Sequence, residues 1–376
     1  MKQQLLFDFK KISYDRMYLG LFLLILFIFL SPVIDFRKID TQASKLIEIS
    51  DQIVQTREGI EQMKEFDVPL AIKDEEERLA LLEAFYAALS SKQSEEITKT
   101  ELAYEKKILE QIESGSLSGT PLIEQRKTVA KLEHLVANNL IATVNFDSSV
   151  PAINFISNDF QLLIPFTMIL IFPVLIFSRI HTDEKVHGTR DFVNMTPISF
   201  EKMILSKLVV SVLFAFLYFI FSVGLAIFIL SFRNGIGSLN YPIPISKDGL
   251  TVSILTTGQF LSQVSILLVA IYTFISSLSI LISRFTHSFL VQTVVLLMVI
   301  MLPSSPLFTA ESAIANIAHF LPFSYFDLSK VLTYGDSFSP SINEYINFTN
   351  GLICLMSYAV LCLLVSWLMI KKKGRV

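Results

Sequence analysis

Six apolar runs, most of them long enough to cross a bilayer, constrain this chain more than any other feature. They span Met17–Phe36, Phe160–Ile180, Ile204–Phe232, Ile254–Ile282, Phe289–Pro303 and Leu352–Ile370. A transmembrane helix needs about 20 consecutive apolar residues. With 52% hydrophobic residues and 32 phenylalanines, the composition is also too apolar for a soluble protein of 376 residues. The sequence therefore predicts an all-α polytopic membrane protein with six transmembrane helices.

Basic residues give the orientation, because they concentrate on the cytoplasmic side of membrane proteins. They adjoin the runs at both termini, between the second and third runs and after the fourth run, at Lys2, Lys10, Lys11, Arg16, Arg179, Lys185, Arg190, Lys202, Lys207, Arg284, Lys371, Lys372, Lys373 and Arg375. The short connections on the opposite side carry only Arg233, Lys247 and Lys330. We expect a multi-pass protein of a bacterial plasma membrane with both termini in the cytoplasm.

The long connection 37–158 then lies outside the cell and has a different composition. It carries 14 basic and 21 acidic residues, a net charge of −7. Ile39, Leu46, Ile53 and Ile60 recur every seven residues, which is typical of a coiled coil. A second helix is expected from about Asp74 to Glu113, with Leu79, Leu82, Tyr86 and Leu89 on one stripe, and a third from Pro121 with Val129, Leu132, Val136 and Leu140. Two interpretations stay open: a solvated helical bundle, or an acidic bundle that captures a cationic ligand such as an antimicrobial peptide.

Polar residues inside the apolar runs are uncharged. Proton- and ion-coupled carriers normally keep ionisable groups near the middle of the membrane, so this pattern argues against a secondary transporter. The candidates for lining a translocation path are Tyr218, Ser222, Gln259, Gln263 and Gln292. Hydroxyl and amide groups also hold neighbouring membrane helices together, and that interpretation stays open for the same residues.

Sequence motifs for catalysis are lacking. No G-x-x-x-x-G-K-[ST] phosphate loop occurs, and no Cys/His spacing suits zinc. Cys354 and Cys362 lie eight residues apart on the last run and cannot bridge each other. We therefore expect no enzymatic activity, cofactor, metal site or nucleic-acid binding in this chain. A membrane-embedded enzyme is disfavoured because no pair of ionisable residues faces the membrane interior.

The polar segment between the second and third runs has the chemistry of a docking loop. Phe192, Val193 and Met195 offer an apolar knob, while Glu184 and Arg190 can form ion pairs around it. A short helix held between two membrane spans can transmit a rigid-body push. The alternative is an ordinary cytoplasmic connection without a partner.

This segment resembles the corresponding loop of the permease subunits of type-2 ATP-binding-cassette exporters. The family places an acidic residue, Gly-Thr, a downstream proline and a basic residue there, which correspond to Glu184, Gly188-Thr189, Pro197 and Lys207. The resemblance implies a coupling helix within 181–203, an amphipathic elbow helix at 1–16 and an outer re-entrant segment at 304–348. The residues implied to contact the ATPase are Glu184, Gly188, Thr189, Arg190, Phe192 and Pro197.

The resemblance also implies partners. A separate cytoplasmic ATPase subunit would bind ATP and Mg, and a second permease copy, identical or similar, would complete the path through the lipid bilayer. The large insertion 37–158, which follows the first span at 17–36, departs from the compact members. We expect export of an amphipathic peptide, such as a bacteriocin, or of a hydrophobic drug-like molecule. The alternative is a mechanical or sensory membrane protein whose outer coiled coil relays ATPase motion to an extracellular partner.

The orientation can be tested by cysteine labelling in a Cys354→Ala/Cys362→Ala background. A cysteine at Ser91 should react with an impermeant thiol reagent on intact cells, because connection 37–158 is expected outside. A cysteine at Thr189 should react only after permeabilisation. The reverse pattern would contradict the orientation drawn from the basic residues.

Overall fold

The computed structural model describes the chain in segments, which form two compact units. It describes residues 6, 9–10, 16–35, 41–65, 69–91, 94–117, 119–142, 150–163, 166–186, 188, 199–286, 288–302, 315–334 and 345–373. The first unit comprises Met1–Pro32, Ile156–Phe232 and Phe260–Val376. The second unit comprises Val33–Phe155 and Arg233–Gln259. The prediction of a predominantly helical protein is confirmed.

Long apolar helices make up most of the first unit. They are α1 (Arg16–Asp35), α7 (Phe166–Val186), α8 (Phe200–Asn234), α9 (Thr257–Ile282), α10 (Phe289–Met301) and α12 (Phe348–Lys373). A π-helix at Asp159–Leu163 precedes α7, and short helices at Ala315–Phe320, Pro322–Tyr325 and Leu328–Thr333 (α11) precede α12.

Three helices in the described part of the chain are long and apolar enough to cross a membrane. They lie at Glu201–Asn234, Thr257–Ile282 and Phe348–Met369. The apolar stretches Met17–Ser31 and Phe289–Met301 are shorter, and the second predicted run is divided between the π-helix and α7. Membrane association is therefore supported by three helices, and the count of six spans stays a prediction.

The segment before α12 is built from short helices, and part of the predicted outer re-entrant segment, 303–314 and 335–344, lies outside the described residues. Within the described part, Tyr325 is buried and donates a hydrogen bond to the carbonyl of His319 at 2.8 Å. Its ring lies against Gly351 of α12, where an added Cβ would be 2.8 Å from Cδ1 of Tyr325. The absence of a side chain at Gly351 therefore allows this close approach.

The second unit contains four longer helices that run alternately in opposite directions. They are α2 (Thr41–Glu65), α3 (Pro69–Ser91), α4 (Ser94–Glu113) and α5 (Leu122–Ala137), followed by the short α6 (Ala152–Asn158). Cross-helix ion pairs show the alternation, since Arg57 pairs with Glu83 and Lys64 with Glu76 between α2 and α3. Lys106 of α4 pairs with Glu133 of α5 in the same antiparallel sense.

Residues 74–113, which the sequence predicted as one helix, form two helices. Helix α3 ends at Ser91, α4 begins at Ser94, and the two pack against each other. The prediction of a single long helix was therefore wrong. The paired carboxylates Glu95 and Glu96 in the first turn of α4 explain the restart, because negative side chains stabilise a helix N-terminus.

The core of the second unit includes predicted heptad positions of α2, which pack against side chains of α3 and α4. Ile49, Ile53, Leu82, Phe85 and Leu89 form one buried cluster, with Leu46, Leu79, Ile97 and Tyr104 packed against it. Phe85 replaces Tyr86 in the predicted stripe, since Tyr86 is 37% exposed and Phe85 only 3%. On α5 the enclosed side chain is Leu135 and not Val136.

A two-stranded antiparallel ribbon, which was not predicted from the sequence, belongs to the second unit. Strands β1 (Pro242–Ile245) and β2 (Ser253–Thr256) pair with Ile243 opposite Leu255. The start of the predicted fourth span at Ile254 was therefore wrong, because Ile254 lies in β2. In the ribbon turn, backbone hydrogen bonds from Thr251 and Leu250 lower the pKa of Asp248 to about 2.

Helix α5 holds the ribbon through apolar and polar contacts. Tyr241 packs with Leu132 and Leu135, and a nitrogen of His134 lies 3.1 Å from the carbonyl oxygen of Asn240. Arg126 donates a hydrogen bond to the carbonyl of Leu250 and pairs with Glu113 of α4. The connection 233–256 is thus an integral part of the second unit.

Neighbouring aromatic residues on α3 provide a test of this core. Phe85→Ala should destabilise the second unit by roughly 3–5 kcal/mol, the usual cost of deleting a buried aromatic side chain. Tyr86→Ala is the matched control and should cost far less because its ring is partly exposed. Hydrogen exchange of peptides from α2, α3 and α4, read by mass spectrometry on the purified chain, measures both. Equal loss of protection in the two variants would contradict the assignment of Phe85 to the core.

Candidate functional site

The predicted coupling loop lies between α7 and α8, and an ion pair joins these two helices at its base. The carboxylate of Glu184, near the end of α7, is 2.6 Å from Nζ of Lys207, in the second turn of α8. The two side chains are only 18% and 14% exposed. A close pair at this depth is screened less by water than a surface pair, so it fixes the separation of the two helix ends more firmly.

The connection between the two helices is shorter than the predicted coupling segment 181–203. Because α7 continues through Val186 and α8 begins at Phe200, the connection comprises residues 187–199. Gly188 is exposed and has φ of +65°, a left-handed conformation that side chains disfavour. Thr189, Arg190, Phe192 and Pro197 lie outside the described residues, so their predicted roles stay predictions.

A buried chain of hydrogen bonds joins three helices next to this ion pair. Nε2 of His181 on α7 lies 3.1 Å from the hydroxyl of Ser276 on α9. The Ser276 hydroxyl lies 2.7 Å from that of Ser211 on α8. All three side chains are buried, and buried polar groups are normally hydrogen-bonded. The Ser211 hydroxyl also donates to the carbonyl of Leu208 in its own helix at 2.9 Å.

Two further polar contacts attach α12 to the same set of helices. Nε of Arg284, just beyond α9, donates to the buried hydroxyl of Ser366 at 3.3 Å. The indole of Trp367 donates to the carboxylate of Glu201, in the first turn of α8, at 2.9 Å. Lys371 lies over the Trp367 ring, 5.0 Å from its centre. We call these contacts, together with Glu184–Lys207 and His181–Ser276–Ser211, the polar belt.

The polar belt suits a mechanical role. A serine hydrogen-bonded to a histidine also occurs in nucleophilic catalysis, but here both side chains are enclosed and a second serine completes the chain. Directional contacts between four helices hold their ends in one arrangement. Glu184 is the one predicted site residue that belongs to this set, and Lys207 is the basic residue of the motif that implied it.

The predicted lining residues lie at separate places. Gln292 of α10 is fully buried and donates to the hydroxyl of Ser279 on α9 at 2.5 Å, so it joins two helices. Ser222 bonds to the carbonyl of Tyr218 in its own helix, and the Tyr218 ring stacks on Phe214.

Gln259 and Gln263 lie one helical turn apart in α9. Gln259 accepts a bond from the amide of Thr256, whose hydroxyl accepts from the amide of Gln259, as in a capping box at the start of α9. Gln263 is half-buried. No described contact joins the five predicted residues into one surface, and their role as a path lining stays a prediction.

His181, Ser211 and Ser276 were not among the predicted site residues. The signal available in the sequence is the density of small hydroxyl residues on α9, where Ser276, Ser277, Ser279 and Ser283 are all buried. Small polar residues at such spacing are typical of close helix contacts in membranes. They do not indicate which histidine reaches which serine.

No known family matches this chain, and no curated protein or solved structure matches it. Function must therefore be inferred from the residues and their arrangement.

Two adjacent serines on α9 test the polar belt. Ser276→Ala removes the hydroxyl between His181 and Ser211 and leaves Nε2 of the buried His181 without its described partner, at a cost of about 1–3 kcal/mol. Ser277→Ala is the control, since the Ser277 hydroxyl is buried but bonds only to the carbonyl of Thr273 in its own helix. Thermal unfolding of the purified chain in detergent should show a clearly larger fall in Tm for Ser276→Ala. Equal shifts would show that the bond between helices adds nothing.

Proposed function

We propose that this chain is the membrane-spanning permease subunit of an ATP-binding-cassette exporter. The observation that carries the proposal is the ion pair between Glu184 and Lys207 at the base of the loop 187–199, next to the buried bonds of the polar belt. A loop that receives force from a partner needs a firm connection to the spans. A connection without a partner has no such requirement.

The mechanism follows from that geometry. A separate ATPase subunit with bound ATP and Mg would press on the loop as its dimer closes. The polar belt would pass the displacement to α7, α8, α9 and α12 as one body, because a hydrogen-bonded and ion-paired set resists separate movement. The helices would then rock between inward-open and outward-open states. This chain would supply no bond chemistry.

The two chain segments that form the second unit support the proposed topology. Its two segments, Val33–Phe155 and Arg233–Gln259, fold into one compact body. In the proposed topology both would lie on one side of the membrane. The chain between them must then cross an even number of times. With α8 as one proposed crossing, the segment Asp159–Val186 would supply another. This agrees with a second span in that region and with both connections outside the cell.

The proposed cargo is an amphipathic peptide or a hydrophobic drug-like molecule, and two permease copies would enclose the path. The candidate lining residues Tyr218, Ser222, Gln259, Gln263 and Gln292 are uncharged, which suits a cargo with substantial apolar surface.

A mechanical or sensory function is the second candidate, and the ion pairs of the second unit favour it. Lys107 of α4 lies within ion-pair distance of Asp74 and Glu77 on α3 and of Glu110. The hydrogen bonds that the Lys107 ammonium donates to Glu77, Asp74 and Glu110 raise the pKa of Lys107. Helices joined in this way form a stiff body that could relay motion. Substrate accumulation in proteoliposomes containing both subunits distinguishes the two functions, since only an exporter moves cargo.

Three substitutions, two in the loop and one at its base, test the coupling. Gly188→Trp should damage the complex most, because φ of +65° strains any larger residue and a bulky ring obstructs docking. Phe192→Ala should weaken the complex through loss of an apolar anchor. Glu184→Lys should weaken it as well, because it places a second positive charge against Lys207 at a site where both side chains are less than one-fifth exposed. The assay is co-purification with the ATPase subunit, together with ATP hydrolysis by the complex in lipid.

Matched variants separate coupling from folding. Gly188→Asn should retain the complex, because asparagine tolerates the left-handed conformation better than other residues with side chains. Glu184→Lys combined with Lys207→Glu restores an ion pair at the loop base and should recover part of the loss. If all three single variants keep wild-type association and hydrolysis, the loop has no coupling role and the proposed function is wrong.

A further inference from the structure

The second unit contains an open groove between α2 and α4. Both helices run antiparallel to α3, so they flank it in the same direction, and the ion pair Lys45–Glu101 joins them near their N-termini. The groove has a volume of about 630 Å³. Sites for drug-sized molecules and short peptides commonly have volumes of about 300–1,000 Å³. All the residues that line it belong to this one unit.

A glycine in the middle of α2 keeps part of the groove open. Gly59 lies on the groove wall, and a Cβ added there would meet nothing within 4 Å. Glycine in a helix interior costs roughly 0.5–1 kcal/mol relative to alanine. Close packing does not require a glycine at this position, because there is open space where its side chain would be. The missing side chain of Gly59 leaves extra space along the groove.

The groove already holds a cation against an aromatic surface. Phe85 of α3 and Tyr104 of α4 stack with ring centres 6.5 Å apart. Nζ of Lys45 lies 5.2 Å from the centre of the Phe85 ring and 2.7 Å from the Glu101 carboxylate. A ring face beside a carboxylate is an environment that attracts ammonium and guanidinium groups. The chain's own lysine therefore demonstrates the kind of group that this wall accommodates.

Carboxylates outnumber basic groups along the groove. The charged lining residues are Lys45, Arg78, Glu48, Glu75, Glu101 and Glu105. Lys45 pairs with Glu101, and Arg78 pairs with Glu75 at 2.6 Å. No cation of the described chain forms an ion pair with Glu48 or Glu105. The second carboxylate oxygen of Glu101 is buried and accepts no hydrogen bond from any described residue.

Glu105 is held in a poorly hydrated position at the α5 side of the groove. Nε2 of Gln125 donates to its carboxylate at 2.6 Å and to its backbone carbonyl at 3.0 Å. Burial raises the pKa of Glu105, although the Gln125 hydrogen bond acts in the opposite direction. A carboxylate that has lost part of its hydration gains more from a cationic partner than an exposed one does.

We propose that this groove binds a cationic amphipathic ligand. Its basic groups would lie against Glu48 and Glu105, and its apolar or aromatic group would lie against Tyr104, Ile108 and Met63, which line the groove and are only partly buried. The ligand class follows from the excess of carboxylates, the aromatic wall and the volume. Such a site goes beyond the proposed coupling role and would serve an exporter or a sensory protein equally.

Isothermal titration calorimetry on the full chain in lipid nanodiscs tests the site. The probe is the amidated tripeptide Lys-Trp-Lys, and the control probe of equal size and aromatic content is Glu-Trp-Glu. We expect saturable binding of Lys-Trp-Lys only. Gly59→Trp should weaken it at least tenfold by filling the groove, whereas Gly59→Ala should bind like the wild type. Absence of binding to the wild type, or equal binding of the acidic probe, would overturn the proposal.

Charge variants decide the matter independently of any folding defect in Gly59→Trp. Glu48→Gln combined with Glu105→Gln should weaken binding about tenfold, which corresponds to roughly 1.4 kcal/mol. Glu58→Gln, at an exposed position of α2 outside the groove lining, should have no effect. Undiminished binding in the double variant would also overturn the proposal. All groove variants should still co-purify with the ATPase subunit, so a failure here is distinguishable from a failure of the proposed function.

Discussion

The outward-facing apolar surface of α8 is the constraint on which the rest of the first unit depends. This helix exposes large apolar side chains along its length, among them Leu213, Leu217, Phe221 and Phe228. Less than a third of its most apolar part is buried. Such a surface suits a lipid surrounding, where burial of apolar side chains between helices gains little over contact with lipid tails. Packing between the helices must then rely on shape and on the few polar contacts available. This gives the polar belt its importance, although each of its bonds is individually modest.

The second unit is stabilised differently, because its charged surface suits water. Its cross-helix ion pairs, such as Arg57–Glu83 and Lys106–Glu133, involve side chains that are about half exposed, and pairs of this kind contribute only about 0–1 kcal/mol each. The buried cluster around Ile49, Leu82 and Phe85 therefore supplies most of the stability. The ion pairs instead fix which helix lies beside which. The ion pair Lys45–Glu101 joins α2 and α4 near one end of the groove.

Local patterns predicted the helices well because their causes are local. The heptad of α2 and the apolar runs of α8, α9 and α12 follow from side-chain periodicity and span length. Choosing between the adjacent residues Phe85 and Tyr86 required knowledge of the helix rotation, which depends on α2 and α4. The ribbon escaped prediction because Pro242 and Pro244 argue against a strand, and only packing on α5 reveals it. At the candidate site, the loop motif identified Glu184 and Lys207 from the sequence. The contact of His181 with Ser276 joins residues 95 positions apart and could not be read from one sequence.

The distribution of contact types within the first unit bears on how it could move. Hydrogen bonds and ion pairs join α7, α8, α9 and α12 in the polar belt, whereas aromatic contacts join other positions, such as Phe22 with Tyr218 and Phe29 with Phe160 and Phe219. Hydrogen bonds are lost when their geometry changes by an ångström, while ring contacts tolerate several edge-on and offset arrangements. A displacement applied at the loop 187–199 would therefore carry the bonded helix ends together and be absorbed where rings can slide. Under the proposed permease function, this arrangement would let the helices rock where rings are in contact while the polar belt stays intact.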